Sequence, residues 1–338
     1  MRPEAITQLC FFVTGLLPPL WGNSPAALEV NFPHYDKAGR LHWELGAKEI
    51  ELVQEKTYLA KMPVVRVLDG YKTVSRAYSN EGKFDLEHKT ASGEANLRIV
   101  GEGFSADGKN WTFEDLNLNT ESRSKFAFSE QSRVGFEHEV GSELLAGSGP
   151  VTPSSQVLLG GSSVHEKKNT KEKGFPTTAR AQRFELIDLG HGRHEILLEH
   201  DVEIRMEFTE ENGTDIQVAI IECNEAKVSL GGDKNSTKRT LGKIVRIHAV
   251  GQVVLKQPGR SCFSDKLLWE AKGGQVFLEG NASVSDQRWG IASGERIILR
   301  KEDGRAEVKG GQGARSSLSL PPLPEFSFPR WLDGGKNN

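Results

Sequence analysis

Cysteine is scarce in this 338-residue chain, which has three. Cys10 lies in an apolar N-terminal stretch, leaving Cys223 and Cys262. That is too few for a disulfide framework and leaves two readings open, one bridge or two buried thiols. Methionine is equally sparse at three, and neither sign of charge dominates: 43 basic residues stand against 46 acidic ones, for a net charge of -3. With no basic patch or stripe, nucleic acid is not an expected partner. Long apolar runs are missing as well. The strongest candidate, Leu9-Cys10-Phe11-Phe12-Val13-Thr14-Gly15-Leu16-Leu17, is broken by Pro18-Pro19 and closes on Leu20-Trp21, too short to anchor across a bilayer. With Arg2 ahead of it and Ser24-Pro25-Ala26 behind, it reads as a signal peptide over residues 1–27, cleaved near Ala26 or Ala27. An uncleaved N-terminal anchor is the alternative.

Catalytic signatures are also lacking. There is no G-x-S-x-G elbow, and the glycine-rich Gly231-Gly232 and Gly310-Gly311-Gln312-Gly313 do not stand between a strand and a helix, where a phosphate loop must. His191, His194 and His200 come nearest to a metal cluster, but only His194 and His200 share a strand face, about 20 Å apart. The carboxylates alternate outward as a solvated face does. The expectation is a protein that is not an enzyme, with no cofactor and no metal.

What the chain does have is period-two alternation. From Ile196 through Phe208 the even positions Ile196, Leu198, Val202, Ile204, Met206 and Phe208 are apolar, with His200 the exception, while the odd ones are charged except Leu197. Such a run is a strand with one buried face. Val245, Ile247, Ala249, Val253 and Leu255 repeat the pattern, as do Val276, Leu278, Ala282 and Val284. Among the 36 glycines, turn signals recur at Asn212-Gly213, Gly231-Gly232-Asp233, Lys272-Gly273-Gly274, Ser293-Gly294 and Glu302-Asp303-Gly304. Short strands at this spacing, with no helical period between them, predict an all-β fold of hairpins.

Residues 30–140 carry the same signal more faintly. Leu41, Trp43 and Leu45 share a face, as do Leu97 and Ile99, with turns expected at Asp69-Gly70, Asn80-Glu81-Gly82, Ser92-Gly93 and Ala106-Asp107-Gly108. Residues 141–178, rich in Gly, Ser and Pro, read as a linker or long loop between this unit and a second at 179–311. Residues 312–338 form a Pro-containing tail.

Three stretches carry a family resemblance. Val276-Phe277-Leu278-Glu279-Gly280-Asn281-Ala282-Ser283-Val284, then Gly294-Glu295-Arg296-Ile297-Ile298-Leu299, then Gly304-Arg305-Ala306-Glu307-Val308-Lys309-Gly310 resemble the repeating strands of the OstA/LptA family. Ile247-His248-Ala249-Val250-Gly251-Gln252-Val253 is similar to another strand of that family. More loosely, Gly39-Arg40-Leu41-His42-Trp43-Glu44-Leu45, Gly82-Lys83-Phe84-Asp85-Leu86 and Ala95-Asn96-Leu97-Arg98-Ile99-Val100-Gly101 resemble LptC-like members. The resemblance implies two OstA-like open β-rolls of stacked antiparallel strands, and a periplasmic component of the bridge that carries lipopolysaccharide between the membranes. Its partners would be lipopolysaccharide and other transport proteins joined through edge-strand pairing. The apolar groove for acyl chains would be lined by Ile196, Leu198, Val202, Ile204, Met206, Phe208, Val245, Ile247, Val276, Leu278 and Val284. A scaffold or assembly protein of the envelope that binds no lipid is the competing expectation. A lining open to solvent would favour the carrier, and a closed interior the scaffold.

Overall fold

The computed structural model describes residues 26–35, 39–69, 71–101, 103–116, 124–137, 176–189, 193–209, 216–231, 243–287, 290–300, 306–311 and 316–319. Of the signal peptide expected over 1–27, residues 1–25 lie outside this set and Ala26 and Ala27 open the first strand; the turns at Asn212-Gly213 and Glu302-Asp303-Gly304 and most of the 141–178 stretch also lie outside it.

The fold is all-β, and its strands pair antiparallel throughout. Among the described residues, twenty strands, β1 (Ala26–Tyr35) to β20 (Ser317–Ser319), stack as fifteen rungs, because β3 with β4, β5 with β6, β7 with β8, β11 with β12 and β19 with β20 each share one rung. At about 4.8 Å per strand the stack is roughly 65 Å long.

Each rung is bent in the middle, which divides the sheet into two arms. The first arm holds the Glu49–Gln54 half of β2 (Leu41–Gln54), β3 (Thr57–Lys61), β6 (Glu81–Asp85), β7 (Thr90–Gly93) and the Trp111–Asp115 half of β9 (Phe104–Asp115). The second holds the Leu41–Gly46 half of β2, β4 (Val64–Asp69), β5 (Lys72–Ser79), β8 (Leu97–Gly101) and the start of β9. β13 (His194–Thr209) through β18 (Gly290–Arg300) each contribute to both arms.

The inner faces of the arms meet in one apolar cluster that runs from Trp43 to Leu299. Facing residues are staggered along the stack. Phe32 of β1 meets Tyr58 of β3, Trp43 of β2 meets Phe113 of β9, and Phe104 of β9 meets His194 of β13. The outer faces carry exposed ion pairs such as Lys227 with Glu195 and Arg300 with Glu307, each worth at most about 1 kcal/mol.

The two expected β-units share a single ladder. β10 (Ser124–Phe136) pairs with β9 on one side and on the other with both β11 (Thr177–Ala181) and β12 (Arg183–Asp188). Thr177 and Thr178, expected in the linker, open β11, and β20 lies in the expected tail, paired with Ile291–Ser293 of β18.

Several glycines expected to mark turns do something else. Gly82 and Gly93 lie within strands, where an added Cβ would stand 2.9 Å and 2.7 Å from the Trp111 ring. Gly108 lies inside β9 beneath Phe128, 2.6 Å from where a Cβ would be. At these positions glycine lets a buried aromatic ring approach the backbone. Gly294 likewise lies inside β18, with Val308 covering it.

Candidate functional site

Ten of the eleven expected groove residues point inward and are buried between 0% and 5% exposure: Ile196, Leu198, Val202, Ile204, Met206, Phe208, Ile247, Val276, Leu278 and Val284. They divide between the facing arms. Ile196, Leu198, Ile247, Val276 and Leu278 stand on the first, and Val202, Ile204, Met206, Phe208 and Val284 on the second. Alternation therefore located both walls of the interior.

Val245 is the correction. It is 38% exposed, and Ile244 beside it is buried at 2%. Leu230 pairs with Ile244 while Ser229 pairs with Arg246, so Val245 is the extra residue of a β-bulge. A bulge rotates its surplus residue out of the alternation, and the inward face resumes at Ile247.

The walls are in contact. Exposure of 0–5% on both arms means the interior is filled by its own side chains, Trp111, Phe128, Phe184 and Trp269 being among the largest. A cavity of about 460 Å³ in the first arm is lined by Thr57, Lys83, Asp85 and Glu114 among others, together with Ala91 and Phe113 of the apolar cluster.

The bend has a repeated construction that sequence reading missed as such. β13 places His200 (φ +62°) and Asp201 (φ +52°), β15 (Lys243–Gln257) places Gly251 (+82°) and Gln252 (+51°), and β17 (Gln275–Asp286) places Gly280 (+73°) and Asn281 (+47°). Each left-handed pair faces one residue of the next rung: Asn224 of β14 (Ile216–Gly231), Asp265 of β16 (Arg260–Glu270) and Glu295 of β18. Two residues against one turn the strand sharply; the strand that carries the pair keeps its inward phase, from Leu198 to Val202, while the facing strand shifts its own, from Cys223 to Ala226. Asn281 Nδ2 donates to Asp265 Oδ2 at 3.1 Å. The exceptional His200 of the alternating run and the motif pairs Gly251-Gln252 and Gly280-Asn281 are all members of this crease.

Cys223 and Cys262 are both buried free thiols. They stand on β14 and β16 with β15 between them, so about 10 Å separates them, beyond the roughly 7 Å Cα limit for a bridge. Burial pushes each thiol up to about 12. His194 is buried and His200 exposed, and among the described residues no group of three or more His, Cys, Asp and Glu side chains could hold a metal. No described helix is long and apolar enough to cross a membrane.

The site thus defines a creased antiparallel roll with a continuous apolar interior. No family model matches the chain, and no curated protein matches it. Among solved structures it is similar to LptH, described as the LptA homologous periplasmic component of the lipopolysaccharide transport device of Pseudomonas aeruginosa. The identity is 17% and the TM-score 0.32, over 44% of this chain and 96% of that one.

Proposed function

We propose that the protein is a periplasmic component of the lipopolysaccharide-transport bridge that holds acyl chains between the two arms of its roll. The observation that carries this reading is the unbroken apolar interior shared by both arms, which is closed by its own side chains and would take an acyl chain only when the arms part. Each acyl CH₂ buried there would gain about 0.8 kcal/mol over water. The motif resemblance at Gly251-Gln252 and Gly280-Asn281 supports it, because those residues form the crease on which two arms can hinge. On this reading the N-terminal segment directs export. β1, paired on one side among the described residues, and the short β19 (Ala306–Lys309) and β20 at the other end offer edges for transport-protein partners.

The second reading, a β-structured envelope scaffold without lipid, is favoured by the packed interior. Photo-crosslinking to lipopolysaccharide separates the two, with probes at inward Ile204 and Leu278 and at outward Glu203 and Glu279. Adducts confined to the inward pair support the carrier. Equal or absent adducts leave the scaffold.

A further inference from the structure

The two arms are fastened across the mouth of the roll by a polar link near its amino-terminal end. Asp115 is the last residue of β9, at the tip of the first arm, and its side chain is 0% exposed. Trp43 lies close to the tip of the second arm, and its Nε1 donates to Asp115 Oδ2 at 3.3 Å. His34 of β1 stands opposite Trp43 in the ladder, stacks on its indole at 4.9 Å between ring centroids, and brings Nε2 within 3.2 Å of the same Oδ2. Two side chains, from β1 and β2, therefore converge on one carboxylate oxygen of β9.

We propose that His34, Trp43 and Asp115 form a clasp that holds this end of the mouth shut, and that its release admits the acyl chain; the second clause rests on the carrier reading above. The other ring contacts between the arms, Phe32 with Tyr58, Trp43 with Phe113 and Phe104 with His194, have no single bond to break. The clasp sits at an edge of the ladder. β1 pairs only with β2 among the described residues, the register shifts between His34 and Tyr35, and the neighbouring Pro33 has no N–H to donate. Burial pushes the Asp115 carboxyl upward, but the hydrogen bonds from His34 and Trp43, helped by the charge of Lys89, bring it below its ordinary value. The ionised form that the clasp needs is the one the site stabilises.

Hydrogen exchange followed by mass spectrometry on the whole protein, without lipid, tests the clasp. His34→Ala and Trp43→Phe, the latter keeping a ring while removing the donor, are expected to speed exchange at 32–35 and 41–45 roughly tenfold, as loss of a hydrogen bond to a charged group allows. Exchange in β13 to β17 is expected to stay at the parent rate. Uptake of the apolar dye 1-anilinonaphthalene-8-sulfonate should quicken in the same variants. Unchanged exchange, or faster exchange throughout the roll, overturns the clasp. Local opening without faster dye uptake overturns its role as a gate. Neither result touches the carrier reading, which stands or falls on crosslinking at Ile204 and Leu278 in the parent protein.

Discussion

Asp265 of β16 lies directly beneath Gly280 of β17, with its own Cβ 2.9 Å from where a side chain on Gly280 would begin. Gly280 also has a φ of +73°. Gly280→Ala therefore meets both a backbone conformation unfavourable to L-residues and a steric block, and should cost about 2 kcal/mol or more in urea unfolding. In the Asp265→Ala background the clash with the carboxylate disappears while the close approach to Cβ and the backbone part remain, so a double-mutant cycle should show partial coupling. Additive effects would mean that the crease does not depend on this close approach.

The bulge at Val245 makes a sharp contrast with its neighbours. Val245→Lys should change stability by less than about 0.5 kcal/mol, because the side chain already faces water. Ile247→Lys, two residues on and 0% exposed, should cost upward of about 4 kcal/mol through an unpaired buried charge. Chemical denaturation of the two variants checks this directly.

His194 gives the stability a pH dependence. It is 5% exposed, and burial lowers its pKa, opposed by the charge of nearby Asp188. A histidine with a lowered folded pKa binds its proton more readily when unfolded. Its contribution is present above its unfolded value of about 6.5 and is lost as pH falls through the folded value. Stability should decline between pH 7.5 and pH 5, and His194→Leu should flatten that slope in thermal melts.

The thiols should be inert. With Cys223 and Cys262 buried and pushed up to about 12, a disulfide-exchange reagent at pH 8 should label neither in the native protein and both in denaturant. A reductant should leave the melting temperature unchanged.

The sequence made the walls of the interior legible and the crease illegible, for one physical reason. Period two records which side of a strand is buried, and Ile196 through Phe208 kept that record because at the crease the phase shift falls on the facing strand, whose buried positions pass from Ile221 and Cys223 to Ala226 and Val228. The cost of that preservation was concealment: only the polar His200 betrayed the bend. At Val245 the phase shift falls on β15 itself, between Ile244 and Ile247, and alternation assigned the wrong face. Glycine misled in the other direction. Gly82, Gly93 and Gly108 resemble turn residues in sequence, whereas their role is set by Trp111 and Phe128 from distant strands, which local reading does not see. Ala91 and Phe113 were unremarkable in sequence for the same reason, though both are buried in the first arm.

The shared ladder at β10 has a mechanical meaning. The halves of the molecule are joined twice, once by the covalent stretch of residues 138–175 and once by the backbone pairing of Ser124–Phe128 with Phe184–Asp188 and of Ser132–Phe136 with Thr177–Ala181. The second joint does not depend on the first. A protease that nicks the chain anywhere in 138–175 severs no described rung, so the cut protein should migrate as one particle until denatured. The roll transmits load from end to end through its hydrogen bonds, as a beam does, whatever the length or integrity of the connecting segment.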